Sequence, residues 1–277
     1  MWTIDMMNTF LMILGIIVGV LILAVLCYLF LLVRPRGRMP ENKNLLCAYA
    51  HRGLHGRGVP ENSLEAFRLA CEEGLGMELD LQLSKDGKVM VFHDYNLKRM
   101  TGVDKLLCEL NADELQTLSL AGTAQTIPTF EQVLALVDGK TPLLVELKGE
   151  NLDTSLCEKT AELLRNYKGE YCIESFNPML IRKIKKYLPD VFCGQLYTNV
   201  CRDKNKKTLP NIVLTSMALN CFARPDFIAY NKSDREMLPV KLTTKFYRAP
   251  KFVWTLRSED EVATANSLGE CPIFERA

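Results

Sequence analysis

The sequence predicts a TIM-type (β/α)8 barrel, an α/β fold, preceded by one N-terminal transmembrane helix. Short apolar runs alternate with amphipathic ones along most of the chain, which is the pattern of βα units around a parallel sheet. Eight apolar runs are present, and eight is the number of strands in such a barrel. The 277 residues suit one barrel of this kind, whereas two full domains would be cramped.

The N-terminal apolar run is long enough to cross a bilayer. It extends from Thr9 to Val33, 25 residues without a charge. At about 1.5 Å per helical residue it spans roughly 37 Å, which exceeds the ~30 Å of bilayer hydrocarbon. A cleaved signal peptide is the alternative, but no Lys or Arg precedes the run and no small-residue cleavage site follows it. We therefore expect an uncleaved anchor over residues 1–33.

Arginines follow this run and none precedes it. Arg34, Arg36 and Arg38 lie in a polar linker that we place at residues 34–44, before a barrel domain at 45–277. The positive-inside rule predicts a single-pass protein of the cell membrane with its barrel in the cytoplasm. The same arginines would attract anionic lipid headgroups. The alternative is that they are only the basic flank that follows any stop-transfer segment.

Overall composition narrows the classes of partner. A formal charge of +1 gives no basic footprint, which argues against nucleic acid as a partner. The ten cysteines show no paired or histidine-flanked spacing, so they are expected to be small buried hydrophobes. An odd number outside the apolar run argues against a disulfide framework and favours a reducing compartment.

The regular elements follow from apolar periodicity and capping residues. The predicted strands are Cys47–Ala50, Met77–Leu83, Leu143–Leu147, Tyr171–Ser175, Val191–Leu196, Asp226–Tyr230, Phe252–Leu256 and Pro272–Phe274. Val89–Phe92 is expected to pair with the second strand through a hairpin turn at Lys85-Asp86-Gly87. The predicted helices are Leu64–Glu73 capped by Ser63, Met179–Tyr187 after Asn177-Pro178, and Glu259–Leu268 after Ser258. The alternative, an open doubly wound sheet, lacks the glycine-rich loop of that fold's nucleotide sites.

The three histidines all fall between positions 51 and 93, and two of them follow predicted strands directly. These two are His51 and His93. A single histidine after a strand is more often structural than catalytic. Two of them beside an acidic strand instead indicate general acid/base chemistry, in which one group takes a proton and another protonates a leaving oxygen.

The acidic strand carries Glu78 and Asp80 two residues apart, and hence on one face. Glu146 and Lys148 repeat this spacing at the end of a later apolar run. A solvent-facing edge strand is the alternative for the first pair. Three buried carboxylates would require a compensating cation, and oxygen ligands favour a hard divalent ion such as Mg²⁺ or Ca²⁺.

Two basic residues complete the predicted site. Arg52 and Lys148 are candidates for cationic contacts to a phosphoryl group, whose charge the metal would also screen. Arg52 has the alternative of a salt bridge at the barrel rim, and Lys148 that of orienting Glu146.

A series of short motifs occurs in order along the chain. The motifs are Ala50–Gly53, Pro60–Phe67, Glu78–Asp80, His93–Gly102, Ile127–Phe130 and Glu146–Lys148, with weaker ones at Glu174–Pro178 and Trp254–Leu256. Each motif alone is weak, but the ordered set, which covers nearly everything from Leu46 onward, resembles the glycerophosphodiester phosphodiesterase family. The resemblance implies a TIM barrel.

The resemblance also implies hydrolysis of glycerophosphodiesters to sn-glycerol 3-phosphate and an alcohol, with one divalent cation. Carried onto matching positions, it implies His51 and His93 as acid/base pair, and Glu78, Asp80 and Glu146 as metal ligands. It further implies phosphate contacts from Arg52 and Lys148, and a substrate pocket lined by Glu61 and Trp254.

Two departures from the family pattern and two alternative functions remain. Ser63 stands where threonine is usual, and no eighth outer helix follows the last predicted strand, so we expect one uncovered barrel flank. The alternative functions are a related phospholipase D-type barrel enzyme that acts on lysophospholipids, and a non-catalytic, membrane-anchored binding module. None of the seven residues proposed for metal, proton transfer or phosphate contact is lost, which argues against the binding module.

Overall fold

A closed barrel of eight parallel strands forms the centre of the computed structural model, which describes residues 4–149 and 153–276. The strands are β1 (Tyr49–Ala50), β2 (Gly76–Leu83), β3 (Val89–Val91), β4 (Leu143–Leu147), β5 (Tyr171–Ser175), β6 (Phe192–Tyr197), β7 (Phe227–Asn231), β8 (Lys251–Leu256) and β9 (Cys271–Phe274). β3 forms the predicted antiparallel hairpin with β2. Because β1 pairs in parallel with both β2 and β9, the barrel is closed. The predicted TIM-type fold is confirmed.

The helices lie between the strands. Short helices form two long connections, at residues 198–226 between β6 and β7 and at residues 232–250 between β7 and β8, and each of these connections is an excursion from the barrel wall. The helices are α1 (Ile4–Cys27), α2 (Leu64–Glu72), α3 (Lys98–Thr101), α4 (Ala112–Leu115), α5 (Phe130–Val137), α6 (Ser155–Leu164), α7 (Pro178–Tyr187), α8 (Val200–Asp203), α9 (Leu209–Thr215), α10 (Asn220–Ala223), α11 (Leu238–Lys241) and α12 (Glu259–Ser267). Ser63, Asn177 and Ser258 cap α2, α7 and α12 as predicted, each accepting a hydrogen bond from a backbone N–H of the first turn. Neither α5 and α6 nor the short helices α3, α4 and α8 to α11 were predicted from the sequence.

Strand alternation divides the core into an outer and an inner layer. Outward residues of β2 and β4, such as Leu79 and Val145, pack with α2, α5, α6 and α7 in one large apolar cluster. The barrel interior holds a stack of aromatic rings, in which Phe227 lies 4.8 Å from Phe192 and 4.3 Å from Phe252. These rings fill the interior toward the amino ends of the strands and leave the carboxyl ends to polar groups.

The N-terminal helix α1 is continued by a π-helical turn at Tyr28–Leu32. Residues Ile4–Leu32 are long and apolar enough to cross a membrane, a property that signal sequences share. None of the residues of α1 is buried against the barrel. Val33, directly after this helical segment, is fully buried in an apolar cluster with residues of β6, β7 and β8. The segment is therefore an exposed apolar helix that is fixed to the barrel at its carboxyl end.

Candidate active site

Three inward carboxylates meet at the carboxyl ends of β2 and β4. Glu78 and Asp80 alternate with outward Met77 and Leu79, whose packing against the outer helices fixes the inward direction of the acidic pair. Asp80 lies opposite Glu146 in the β2–β4 register. One carboxylate oxygen from each of the three acids lies within 4.8 Å of those of the other two. The predicted acidic cluster is therefore assembled by the barrel and is not an edge-strand feature.

Burial gives this cluster unusual protonation behaviour. Glu78, Asp80 and Glu146 are 2%, 1% and 7% exposed. Burial, together with the neighbouring carboxylates, raises the pKa of Glu78 well above its usual range and that of Glu146 to about 7. Burial would also raise the pKa of Asp80, but Lys148 and the nearby His93 hold it well below its usual range. The donor set is one of hard oxygens with charge to be compensated, which suits a hard divalent cation.

Two cations already border the carboxylates. The Nζ atom of Lys148 lies 3.0 Å from both Asp80 Oδ1 and Glu146 Oε1. Arg52 donates from its backbone N–H to Glu78 Oε2 at 2.8 Å, and its Nε lies 3.6 Å from Asp80 Oδ2. The two alternatives raised for these residues, orientation of Glu146 and a barrel-rim salt bridge, thus both occur as contacts. These contacts use only some of the N–H donors of the Lys148 ammonium and the Arg52 guanidinium, so other donors remain for a further partner.

His51 sits directly after β1 and is held by the last strand of the barrel. Its Nδ1 lies 2.7 Å from Oε1 of Glu275, the residue that follows β9, and its Nε2 lies 3.9 Å from Glu78 Oε2. Arg257 Nε donates to the other oxygen of Glu275 at 2.9 Å. Burial lowers the pKa of His51, against the opposing effect of Glu275. The contact from His51 lowers the pKa of the Glu275 carboxyl to about 2.

His93 has an analogous support on the other side of the cleft. Its Nδ1 lies 2.6 Å from Asp94 Oδ1, and Arg99 Nε donates to the second oxygen of Asp94 at 2.5 Å. Burial lowers the pKa of His93. Since Nδ1 of each of the two histidines faces a carboxylate, Nε2 is the ring nitrogen left for proton transfer.

The two pocket residues implied by the resemblance differ in character. Glu61 accepts from Arg52 Nη1 at 2.8 Å and from Arg99 Nη2 at 2.6 Å, so its carboxylate orients two guanidinium groups. Trp254 lies across the cleft, donates from Nε1 to Ala229 O at 3.2 Å, and meets the ring of Phe176 edge-on at 5.7 Å. All nine predicted site residues thus gather at one end of the barrel, in or beside a cleft of about 400 Å³.

Two acidic residues of the cleft were not predicted. Glu174 is 1% exposed in β5, opposite Glu146 in the strand register, and burial beside Glu146 and Asp80 raises its pKa well above its usual range. Glu275 is the partner of His51 described above. Both carry a signal that sequence reasoning had available, because each is an acidic residue at or directly after the carboxyl end of an apolar strand.

A second possible ligand group has no residue in common with the first but adjoins it, since Nε2 of its His51 lies 3.9 Å from Glu78 Oε2. His51, His55 and Glu275 place one donor atom each within 4.8 Å of the others, and all three are partly exposed. His51 and Glu275 already satisfy each other at 2.7 Å. The buried group of three carboxylates has the greater need of a cation, because its charges are removed from water.

A larger and more apolar cavity adjoins the polar cleft. It has a volume of about 640 Å³ and shares Glu146 and Lys148 with the site. Its far wall is formed by residues of the excursion between β6 and β7, including Leu214, Met217 and Leu219. Volumes of this size are typical of small-molecule pockets.

Comparison with known proteins gives a consistent result. Residues 51–274 match the glycerophosphoryl diester phosphodiesterase family. A glycerophosphodiester phosphodiesterase of Caldanaerobacter subterraneus is 36% identical over 160 residues, which are 53% of this chain and 65% of that protein. A putative glycerophosphodiester phosphodiesterase of Bacillus subtilis is 32% identical over 233 residues, which are 79% of this chain and 90% of the Bacillus protein.

Solved structures share the fold. A phosphodiesterase of Oleispira antarctica, solved with the product sn-glycerol-3-phosphate, superposes with a TM-score of 0.70 at 23% identity, covering 83% of this chain and 92% of its own. The family match extends from the first proposed catalytic histidine to the last strand of the barrel. The resemblance found in the motifs is thus confirmed, and the chain belongs to the glycerophosphoryl diester phosphodiesterase family of enzymes.

Proposed function

We propose that this chain hydrolyses glycerophosphodiesters to sn-glycerol 3-phosphate and an alcohol, with one divalent cation. The observation that carries the proposal is the convergence of three buried carboxylates, two fixed cations and two carboxylate-oriented histidines at the carboxyl end of the barrel. In TIM-barrel enzymes this end is where catalytic residues lie.

Glu78, Asp80 and Glu146 are the residues that would hold the cation. A bound Mg²⁺ or Ca²⁺ would supply positive charge to the phosphoryl oxygens as charge develops on them. The three acids need such a charge, because burial otherwise raises the pKa of two of them. Arg52 and Lys148 would contact the phosphoryl group from the rim with the N–H donors that their carboxylate partners leave over.

His51 and His93 would divide proton transfer between them. Each has Nδ1 within 2.7 Å of a carboxylate oxygen, which fixes the ring orientation and favours a proton on Nδ1. With its pKa lowered by burial, each imidazole is neutral near pH 7 and ready to accept a proton on Nε2. One of them takes the proton of the attacking oxygen and later releases it to solvent. The other, protonated on Nε2 by solvent before the reaction, donates that proton to the departing alkoxide, so the protons balance over a turnover.

A lysophospholipid is the second candidate substrate, favoured by the apolar cavity beside Glu146 and Lys148. A single acyl chain gains up to about 0.8 kcal/mol per methylene that it buries. The polar cleft and the apolar cavity would then hold the two ends of one amphiphile, with the phosphodiester between them.

We further propose that α1 is a retained membrane anchor. Its support is the apolar Ile4–Leu32 segment and the arginines that follow it, from which the positive-inside rule predicts a cytoplasmic barrel. Residues 1–33 would be the anchor, 34–44 the linker and 45–277 the barrel. The Nε atoms of Arg36 and Arg38 each lie 3.7 Å from Oδ1 of Asp226, so these linker arginines contact the barrel. A protease-protection assay on sealed cells tests the orientation. Degradation of the barrel by protease added outside the cells would contradict it.

The decisive experiment for the activity is a substrate panel with the purified full chain. Glycerophosphocholine, glycerophosphoethanolamine, glycerophosphoglycerol and lysophosphatidylcholine are incubated with Mg²⁺, Ca²⁺ or excess chelator, and sn-glycerol 3-phosphate and free headgroup are quantified separately. We expect turnover of at least one glycerophosphodiester that chelation abolishes and metal restores. Release of headgroup only from the lysolipid would favour the second candidate, and full turnover in chelator would exclude the metal site.

A further inference from the structure

The end of the apolar N-terminal segment lies beside the excursion between β6 and β7, and the two run side by side. Tyr28 donates from its hydroxyl to Ser216 O at 2.9 Å. The side chain of Asn220 donates to Val33 O at 2.9 Å. Arg36 donates from its backbone N–H to Pro225 O at 2.8 Å. Both segments therefore advance in the same direction through these three contacts.

That direction can be read from the barrel strands. Thr215 accepts at 3.0 Å from the hydroxyl of Tyr197, the last residue of β6, so the upper contact lies at the carboxyl ends of the strands. Pro225 directly precedes Asp226 and β7, so the lower contact lies at the amino ends. The chain thus descends along the barrel wall from Tyr28 to Arg36, antiparallel to the strands. Followed backward, the 24 residues of α1 project roughly 36 Å beyond the catalytic face.

The surface between α1 and the catalytic cleft is apolar and basic. The helix α9 has no buried residue, and its Leu209, Ile212 and Leu214 are 75%, 48% and 37% exposed. Exposed Lys204, Lys206 and Lys207 directly precede it. Residues 199–223 contain four basic residues and one acidic one. Apolar side chains next to a basic cluster are typical of segments that rest in the headgroup layer of an anionic bilayer.

Aromatic side chains also hold the end of the anchor against the barrel. Phe30 meets Phe246 edge-on at 6.5 Å, and Phe246 is itself 60% exposed. The hydroxyl of Tyr247 donates to Leu29 O at 2.5 Å. These contacts hold the last turn of the anchor against the segment that precedes β8, and so fix the direction of the anchor relative to the barrel.

We infer that the barrel lies with its catalytic face toward the bilayer and that α9 rests in the headgroup layer of an anionic membrane. The inference rests on the proposed anchor and adds to it an orientation of the domain, independent of whether the enzyme acts on any given substrate. It assigns the lipid contact to α9 and its lysines, on the side of the barrel where the apolar cavity is walled by Leu214.

Tryptophan quenching in nanodiscs tests this orientation. The full chain carrying Trp2→Phe is reconstituted in discs of phosphatidylcholine and phosphatidylglycerol, with or without brominated acyl chains, and Leu209→Trp or Leu268→Trp is added. Leu268 is a matched control, because it is an exposed leucine that precedes β9 at the amino ends of the strands. The emission of the parent chain, from Trp254, is subtracted. Phe10→Trp reports insertion of α1 separately.

The expected result is quenching of the added emission by roughly twofold or more for Leu209→Trp and Phe10→Trp, since interfacial helices insert to the acyl boundary, and none for Leu268→Trp. Quenching of Leu268→Trp equal to or greater than that of Leu209→Trp would overturn the orientation, and so would the absence of quenching for both. If Phe10→Trp is not quenched, the anchor itself is refuted, and the orientation with it. Circular dichroism of each variant shows that it is folded, so the outcome does not depend on activity.

Discussion

The two halves of the barrel differ in what they carry. Between β1 and β5 lie the regular helices α2, α5 and α6 besides the short α3 and α4, and the strands carry the predicted metal ligands and catalytic histidines toward their carboxyl ends. From β6 to β8 the connecting segments are broken into short helices, and the strands face a core cluster that also contains Val33 and Tyr28. The first half holds charge in a rigid frame, whereas the second half provides an apolar cavity and the attachment of α1.

Within one closed sheet, the residues predicted to carry the chemistry thus lie mainly in the first half, and those that attach α1 or line the apolar cavity lie mainly in the second half. Buried carboxylates require strands whose outward faces are firmly packed, and the large cluster around α2, α5, α6 and α7 provides that packing. The excursions of the second half have few buried residues of their own. Substitutions in the first half are therefore expected to change catalysis, and those in the second half to change stability or preference among substrates, except at Glu275, which follows β9 and contacts His51.

The largest expected effect is the loss of a metal ligand. Glu146→Ala removes both charge and a coordinating oxygen, and should reduce metal affinity and activity by more than about 100-fold, since even groups that only orient a ligand contribute 10- to 100-fold. Metal affinity is measured by calorimetry on the full chain. Glu170→Ala, an exposed glutamate before β5, is the control and should bind metal normally. An unchanged affinity in Glu146→Ala would refute the site.

The next largest effect is the loss of a catalytic histidine. His51→Ala and His93→Ala should each lose about 10²- to 10⁴-fold in kcat, the usual contribution of general acid/base groups. The double variant should lose less than the product of the single losses, because the two groups act as a unit. His55→Ala is the matched control with an expected loss below about tenfold; a loss equal to that of His51→Ala would instead implicate the group of His51, His55 and Glu275.

A substrate with a good leaving group distinguishes the two histidines. A nitrophenyl ester of glycerol phosphate needs little protonation of its departing oxygen, so it should rescue the variant that lacks the acid and not the one that lacks the base. The measurement is kcat for each single variant on both substrates. Equal rescue of His51→Ala and His93→Ala would contradict a division of roles between them.

A smaller effect is expected at the partner of His51. Glu275→Gln keeps the shape but removes the charge that raises the pKa of His51, so kcat should fall by about 10- to 100-fold. The pKa of His51 should fall further, because its cationic form loses a stabilising neighbour. The limb of the pH–rate profile that reports His51 is then expected to move to lower pH, whether it acts as acid or base. A profile that does not move would show that Glu275 has no influence on the reacting imidazole.

In the second half, Leu214→Asn tests the apolar cavity. It should lower the ratio of kcat/KM for lysophosphatidylcholine to that for glycerophosphocholine by about three- to tenfold, since part of a leucine side chain is withdrawn from the contact. Leu209→Asn, on the same helix but outside the cavity lining, should leave the ratio unchanged in detergent solution. Equal effects of the two variants would show that the cavity does not bind acyl chains.

The smallest effect is expected where the anchor segment meets the barrel. Asn220→Ala removes the buried hydrogen bond to Val33 O and should cost about 1–3 kcal/mol of stability, with a fall in Tm of several degrees. Turnover of glycerophosphocholine should change by less than about twofold. A tenfold loss of turnover with unchanged Tm would contradict the separation of the two halves.

Most of the fold was predictable because periodicity and caps are local signals. The hairpin of β2 and β3, the cap at Ser63 and the strand ends that carry His51 and His93 all followed from such patterns. The helix α5 has a local signal as well, a capping box at Thr129 and Gln132, although this helix was not predicted. Glu275 required one more step, since closure of a barrel places the end of the last strand beside the first.

The contacts of the excursions had no comparable signal. The chain from Tyr28 to Arg36 meets residues nearly 190 positions later, and nothing in the apolar run distinguishes residues that dock from those that face lipid. The apolar cavity likewise depends on how α9 and α10 lie over β6, which their short length does not determine. Long-range packing of irregular segments is decided by the whole fold and not by local pattern.

The contacts of the linker with Asp226 have a practical consequence for producing the enzyme without its membrane segment. Asp226 is fully buried and lies near Arg36, Arg38 and Lys185. A truncated protein starting at the apparent domain boundary would lose two of these cations and uncover the apolar surface that Val33 protects, so poor solubility is expected. A recombinant barrel should instead begin near Cys27, which retains the docked turn and the arginines while removing most of the apolar helix.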